Sequence, residues 1–318
     1  MPVYEQGQTN SCYAYAATAA IDVWRKARGK SVPPYSSPIE AALRYAVRQP
    51  GRTTWRHAQG GNPQQVLEIL LSEGTCPHVS PYDFSQEVVG KRWNQLSRVA
   101  SARDEYQDQE DRKKRGKNTS GLFSKKTPDQ KQDEVVRDVS CEVEGPTPSS
   151  STVEKLDRPI RDALMAATSL KSAQEVFALG CKKSGVLSVP QATLKKRESP
   201  AWMNHDQVKV FFQKSLDESF SKGDGSVPVI TYCPRFLLYP SSKDAVIEQG
   251  YYGSCKSGSV HASVILGRRR NDKGQCEYLI HNSWGSSCDP YSWPCEKGQV
   301  WVPIDALMNN LLELSWLE

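Results

Sequence analysis

Gln6, Cys12, His261 and Asn282 are four residue types that together can run acyl-transfer chemistry on a carbonyl. In that chain order they could supply an oxyanion donor, a nucleophile, a base and a group that orients the base. A thiol at its free pKa of about 8.5 is only a few per cent anionic at neutral pH, so its surroundings must favour the thiolate. A helix N-terminus contributes roughly 0.3–1 kcal/mol to that end, which is less than one pKa unit at 1.36 kcal/mol per unit. A cationic partner has to do most of the work, and His261 is the candidate imidazolium. Asn282 cannot take a proton, so its task would be to fix the tautomer and direction of His261. Trp284 stands two residues on, where it could screen that hydrogen bond from water. The side-chain amide of Gln6 and the backbone N–H of Cys12 form the expected oxyanion hole.

These groups need elements to hold them. The segment Ser11 to Arg28 reads as a helix, because Cys12, Tyr15, Ala16, Ala19, Val23 and Ala27 recur at helical spacing in an alanine-rich run. Asn10 or Ser11 is placed to cap it, which puts Cys12 in the first turn. His205 to Phe220 reads as a helix, and Val227 to Cys233 as a strand. Ser259 to Gly267 and Gln275 to His281 read as two strands joined by the turn Asn271-Asp272-Lys273-Gly274.

The stretch from Gln6 to Tyr15 (Gln-Gly-Gln-Thr-Asn-Ser-Cys-Tyr-Ala-Tyr) resembles the nucleophile segment of papain-like cysteine peptidases. Val260-His261-Ala262 with Val264-Ile265-Leu266-Gly267 resembles the family's histidine strand. Tyr278 to Gly285, ending Asn282-Ser283-Trp284-Gly285, resembles its asparagine strand. Gly60-Gly61-Asn62-Pro63 resembles the double-glycine segment that binds substrate backbone, and Ser80-Pro81-Tyr82-Asp83-Phe84 a Tyr-Pro-Tyr stretch. The resemblance covers residues 1–84 and 201–302 in the family's order. It implies an α+β, two-lobed papain-like fold: a helical lobe carrying Cys12, and an antiparallel, barrel-like β lobe carrying His261 and Asn282. It also implies hydrolysis of peptide bonds in a polypeptide, no cofactor or metal, and a substrate site of Gly60, Gly61, Asn62, Pro63, Val260 and Ala262. Cys255 resembles a family disulfide position whose partner falls after Asn282, at Cys288 or Cys295.

Departures from the family pattern are local. Thr9 stands where a cysteine is usual, Asn10 where a Gly is, and Tyr13 where a Trp is, and none of these removes a reacting group. Spacing differs more. His261 lies 249 residues after Cys12, against roughly 130–150 in the family pattern. The excess is assigned to an insertion over 85–200 between a first part, 1–84, and a last part, 201–318. Residues 85–134 carry 12 Lys/Arg and 9 Asp/Glu, a composition that buries little apolar area. Pro146 to Ser151 reads as a linker, and Leu156, Ile160, Leu164, Ala167, Leu170 and Phe177 mark a helix within 153–179. The insertion either lies near the reacting groups or is a surface outgrowth.

Composition bounds the rest. At 318 residues, 38% hydrophobic and 24% charged, the chain can bury a sizeable core. No apolar run approaches the length of a membrane span. A net charge of +5 without an aromatic platform reads Arg112-Lys113-Lys114-Arg115 as a solvated face and argues against nucleic acid. Arg268-Arg269-Arg270 reads as solvated charge, His281 as a surface residue, and Asn118-Thr119-Ser120 as a chance glycosylation triplet. Nine cysteines leave eight beside the nucleophile, enough for four disulfides in an oxidising, secreted compartment, although the chain opens on no signal peptide. A zinc site at Cys288 and Cys295 is the weaker reading of that pair. A separate propeptide or inhibitor, outside this sequence, is an expected partner. Two alternatives use the same residues: a transamidase or ligase, and an inactive binding protein whose cleft the insertion blocks.

Replacing Cys12 by Ala is expected to abolish peptide turnover and leave the circular dichroism spectrum unchanged. Gln6→Ala should lower kcat by about 10²–10³-fold in steady-state assays, the usual effect of removing one oxyanion donor.

Overall fold

The alanine-rich run forms helix α1 (Cys12–Ala27) in a computed structural model of the chain. The structure describes residues 1–6, 10–48, 60–78, 185–200, 202–241, 245–248, 251–256 and 260–318, with a few helical positions between 174 and 182. Helix α1 differs from the one-sided stripe that its spacing suggests. Tyr13, Ala14, Ala17, Ala20, Ile21 and Trp24 are all buried, whereas Ala27 is exposed. Methyl side chains let neighbours approach from several directions, and a helix that is apolar nearly all round is an interior helix. Its neighbours are α2 (Pro38–Arg48), α3 (Pro63–Glu73) and the central strand of the sheet. Helix α3 starts cleanly. Asn62 caps it by accepting from the N–H groups of Gln64 at 2.8 Å and Gln65 at 3.3 Å, and Pro63 fills the first helical position, where no donor is missed.

Seven strands form one antiparallel sheet: β1 (Leu194–Glu198), β2 (Val229–Tyr232), β5 (His261–Arg270), β6 (Cys276–His281), β7 (Cys295–Glu296), β8 (Gln299–Pro303) and β9 (Leu311–Leu317). Their spatial order is β1-β9-β2-β5-β6-β8-β7. A separate hairpin pairs β3 (Ala245–Glu248) with β4 (Tyr251–Cys255). Side chains alternate across the sheet as the pleat requires. Val229, Ala262, Val264 and Leu317 face the cluster built by α1, α2 and α3. Ile230, Ile265, Ile280, Leu314 and Trp316 face the other cluster, which packs α4 (His205–Ser221) and α6 (Ile304–Met308). A capping box between Asn204 and Gln207 starts α4. The short helix α5 (Arg235–Leu238) follows β2. The β5–β6 connection is the expected turn. Gly274 has φ 75, which suits glycine, and the Asn271 side chain accepts from the N–H groups of Lys273 and Gln275.

Two expectations are revised. Residues 194–198, assigned to the insertion, form the edge strand β1 paired to β9. The chain has already rejoined the fold at Leu187, whose backbone exchanges hydrogen bonds with Thr75 at 2.8 and 3.1 Å. Cys255 pairs with Cys233, and Cys288 with Cys295, whose Cα atoms lie 5.6 Å apart. A bond between those two near neighbours leaves no partner for Cys255 after Asn282 and removes the zinc reading. Cys76 bonds Cys181 across 105 residues, so the ends of the long excursion are joined covalently. Cys12 and Cys276 are free thiols. Cys141, most of the helix expected within 153–179, the 112–115 basic run, Asn118, the 80–84 stretch and residues 7–9 lie outside the described residues. Among the described residues no helix is long and apolar enough to cross a membrane.

Phe212 of α4 is fully buried against the sheet. Phe212→Ala is expected to lower the unfolding free energy by about 3–5 kcal/mol in urea denaturation.

Candidate active site

Helix α1 points its first turn at the start of β5. The backbone N–H groups of Ala262, the residue directly after His261, and of Tyr13 and Cys12 lie near the Cys12 sulfur and favour its thiolate. The first N–H groups of a helix have no intrahelical acceptor, so they are available to an anion there. Ser11 occupies the cap position, but its side chain makes no capping bond.

His261 opens β5 and is 5% exposed. Its Nε2 donates to Asn282 Oδ1 at 2.6 Å, which fixes the neutral tautomer and leaves Nδ1 as the basic nitrogen. The ring lies between Tyr232, edge-on at 5.6 Å, and Trp284 at 4.9 Å. Asn282, just past the end of β6, is also buried. Its Oδ1 accepts from the Ser283 N–H at 2.8 Å and from Ser263 Oγ at 3.3 Å, and Ser263 in turn accepts from Tyr232. Its Nδ2 donates to the Tyr291 hydroxyl at 2.9 Å.

Gln6 reaches this cluster from the N-terminal strand segment. Glu5 bridges Trp284, and the Gln6 N–H donates to the Ser283 carbonyl at 2.7 Å. The Ser283 hydroxyl donates to Gln6 Oε1 at 2.5 Å. With Oε1 so engaged, the amide Nε2 is the edge that can serve an oxyanion.

Burial works against charge. It pushes the Cys12 thiol up to about 11, opposed by the three N–H groups, and pushes His261 down to about 4, opposed by its bond to Asn282. Neither group charges alone at neutral pH.

The structure therefore brings Gln6, Cys12, His261, Ala262, Asn282 and Trp284 together. The glycine segment is assembled differently. Gly61 lies on the rings of Tyr13 and Tyr45, so close that a Cβ there would come within 2.6 Å of Tyr13. Gly60 and Gly61 are exposed, Asn62 spends its carboxamide on the α3 cap, and Pro63 is buried. Val260 is exposed beside His261. Ser263, Ser283, Tyr232 and Tyr291 are site residues that spacing alone did not single out. Ser263 was findable, since it lies two positions from His261 on one strand and so shares its face. Tyr291 carried no such signal. His281 is a correction: it is buried, not a surface residue, because its strand is covered on both faces, and its Nδ1 has no hydrogen-bond partner among the described residues. Among the described residues no group of three or more His, Cys, Asp or Glu could hold a metal.

No family model matches the chain, and no curated protein does. Solved structures similar to it are papain-like cysteine proteases at low identity. Recombinant stem bromelain precursor is 9% identical with a TM-score of 0.44, over 100% of this chain and 66% of that one. Xylellain, a cysteine protease from Xylella fastidiosa, is 15% identical with a TM-score of 0.43, over 100% of this chain and 82% of that one. PepW from Lactobacillus rhamnosis is 12% identical with a TM-score of 0.48, over 99% and 79%. The chain thus spans just under two thirds of the bromelain precursor. The fold is α+β, as the sequence implied, and its neighbours are papain-like.

Burial lowers His78, His261 and His281 each from 6.5 to about 4. The unfolded chain takes up these protons as pH falls through 6.5, whereas the fold resists until about 4, so stability rises with pH across that window. Asp22 and Glu40, raised by burial, act with the opposite sign in the carboxylate range. His281→Gln is expected to flatten the fall in unfolding free energy between pH 6.5 and 4, measured by urea denaturation. An unchanged slope would remove His281 from the account.

Proposed function

We propose that this chain is a papain-like cysteine endopeptidase that cleaves polypeptides through a thioester on Cys12. One observation carries the reading: a buried histidine whose Nε2 is held by Asn282 at 2.6 Å opens the very strand on which the helix that begins with Cys12 packs. In the proposed sequence the substrate carbonyl enters, the Cys12 proton passes to His261 Nδ1, and the sulfur attacks the carbonyl carbon. The oxyanion sits between Gln6 Nε2 and the Cys12 N–H. His261 gives the proton to the leaving amine, then takes one from water, which hydrolyses the thioester and restores the thiol. Asn282 keeps the ring aligned throughout, and Trp284 covers one face. No step calls for a cofactor or a metal.

On this reading the reacting groups face a cleft between the α1 side and the β5 side of the fold. Gly61 offers its exposed backbone to an extended substrate, its lack of a side chain letting it lie close on the rings of Tyr13 and Tyr45. Val260 and Ala262 flank the side chain beside the scissile residue, which favours an apolar one there. A propeptide or a protein inhibitor would occupy the same groove.

A peptidyl epoxysuccinate reacts with a thiolate that is both charged and accessible. Intact-mass analysis should show rapid single addition at Cys12 in the wild type and its loss in His261→Ala. Absence of labelling would favour the inactive binding protein. Turnover that yields mainly amide product when a free amine is added would favour the transamidase.

A further inference from the structure

An asparagine that orients a histidine has a weakness: its two ends are nearly the same size. With Oδ1 toward His261 it accepts the Nε2–H. Turned over, it would set an NH₂ donor against an N–H donor and drive the ring away. The Ser283 N–H, a donor only, tells the two ends apart at Oδ1, and the nitrogen end needs an anchor of its own.

We propose that Tyr291 is a positioning residue that anchors this nitrogen end, acting on His261 through Asn282; this rests on the peptidase reading for its kinetic consequence. The Tyr291 hydroxyl accepts from Asn282 Nδ2 at 2.9 Å. That contact holds the amide nitrogen, which neither of the donors at Oδ1 touches. Ser263 and the Ser283 N–H approach Oδ1, so the amide is read at both ends.

Tyr291 is itself held rigidly, which a residue acting through another must be. Its ring stacks on Trp284 at 5.9 Å with an interplanar angle of 3°, and Trp284 lies against His261. It sits in the short loop closed by the Cys288–Cys295 disulfide. The next two residues pin that loop to α5: the Ser292 N–H donates to the Leu237 carbonyl at 3.1 Å, and Trp293 Nε1 to the Phe236 carbonyl at 2.8 Å. The chain of contacts runs from this stapled loop through Tyr291 and Asn282 to the base. A net hydrogen bond is worth about 1 kcal/mol, close to a fivefold change in an equilibrium.

Tyr291→Phe keeps the ring and its stack but removes the oxygen. The experiment combines kinetics with nitrogen-15 NMR of the His261 side chain. Removing the oxygen should lower kcat by about 5–10-fold with KM unchanged, and shift the alkaline limb of activity to lower pH, because the imidazolium loses a well-held acceptor. In an Asn282→Ala background the same change should have no further effect, since Tyr291 acts only through that amide. The Nε2–H signal should exchange with water at least about fivefold faster in Tyr291→Phe than in the wild type. That arm reads the positioning even if the protein cleaves no peptide, so it separates failure of this proposal from failure of the peptidase reading. An unchanged exchange rate would overturn the proposal, as would an equal kcat loss in both backgrounds.

Discussion

The contact between the first turn of α1 and the first residues of β5 is the constraint on which the site depends. It sets a thiol against the Ala262 N–H, and that N–H belongs to the strand that begins with the histidine. Only a helix stripped to alanines can come so close. Ala14, Ala16, Ala17, Ala19 and Ala20 are buried, and larger side chains there would hold the helix away from Ala262 and Val264. Sheet register does the rest. His261 opposes Tyr232 on β2, while Val264 opposes His281 on β6, so Asn282 emerges from the sheet within reach of the imidazole.

This closeness has an electrostatic consequence. A site packed enough to hold imidazole and amide at 2.6 Å is also dry enough to discourage charge, and burial raises the thiol and lowers the imidazole. Polar groups offset the penalty. Asn282 satisfies the far side of the ring, Ser263 and Tyr232 extend that bond into a short chain, and backbone N–H groups face the sulfur. Such networks hold geometry well when every member has a partner. The N-terminal segment joins the same network through the Ser283 bonds to Gln6.

What could be read in the sequence was whatever local chemistry dictates. The α1 and α4 helices, strands β5 and β6 and their Asn-Gly turn follow from periodicity and turn residues, and their ends shift by a few residues at most. Gln6, Cys12, His261 and Asn282 were legible because their types and order resemble a known pattern. Long-range pairing was not. Nothing in Leu194 to Glu198, rich in Lys, Arg and Glu, marks an edge strand, because it is pairing with β9 that makes it one. The Cys233–Cys255 and Cys288–Cys295 bonds depend on three-dimensional proximity, which counting cysteines does not supply. His281 looked exposed by alternation alone, but both faces of this sheet are covered. Asn62 shows how one residue type serves two readings: the same carboxamide suits a substrate contact or a helix cap, and the fold uses it as a cap.

The central claim is that a covalent bond forms between Cys12 and the acyl half of a substrate. Rapid acid quench of the protein with a slowly hydrolysed peptide ester, followed by intact-mass and fragment analysis, tests it directly. The account predicts a transient adduct with the mass of the acyl group, carried by the peptide that contains Cys12 and discharged on continued incubation. An adduct carried instead by Cys276, the other free thiol among the described residues, would contradict it. So would ester cleavage with no adduct at any quench time in a protein still hydrolysing after Cys12 is blocked.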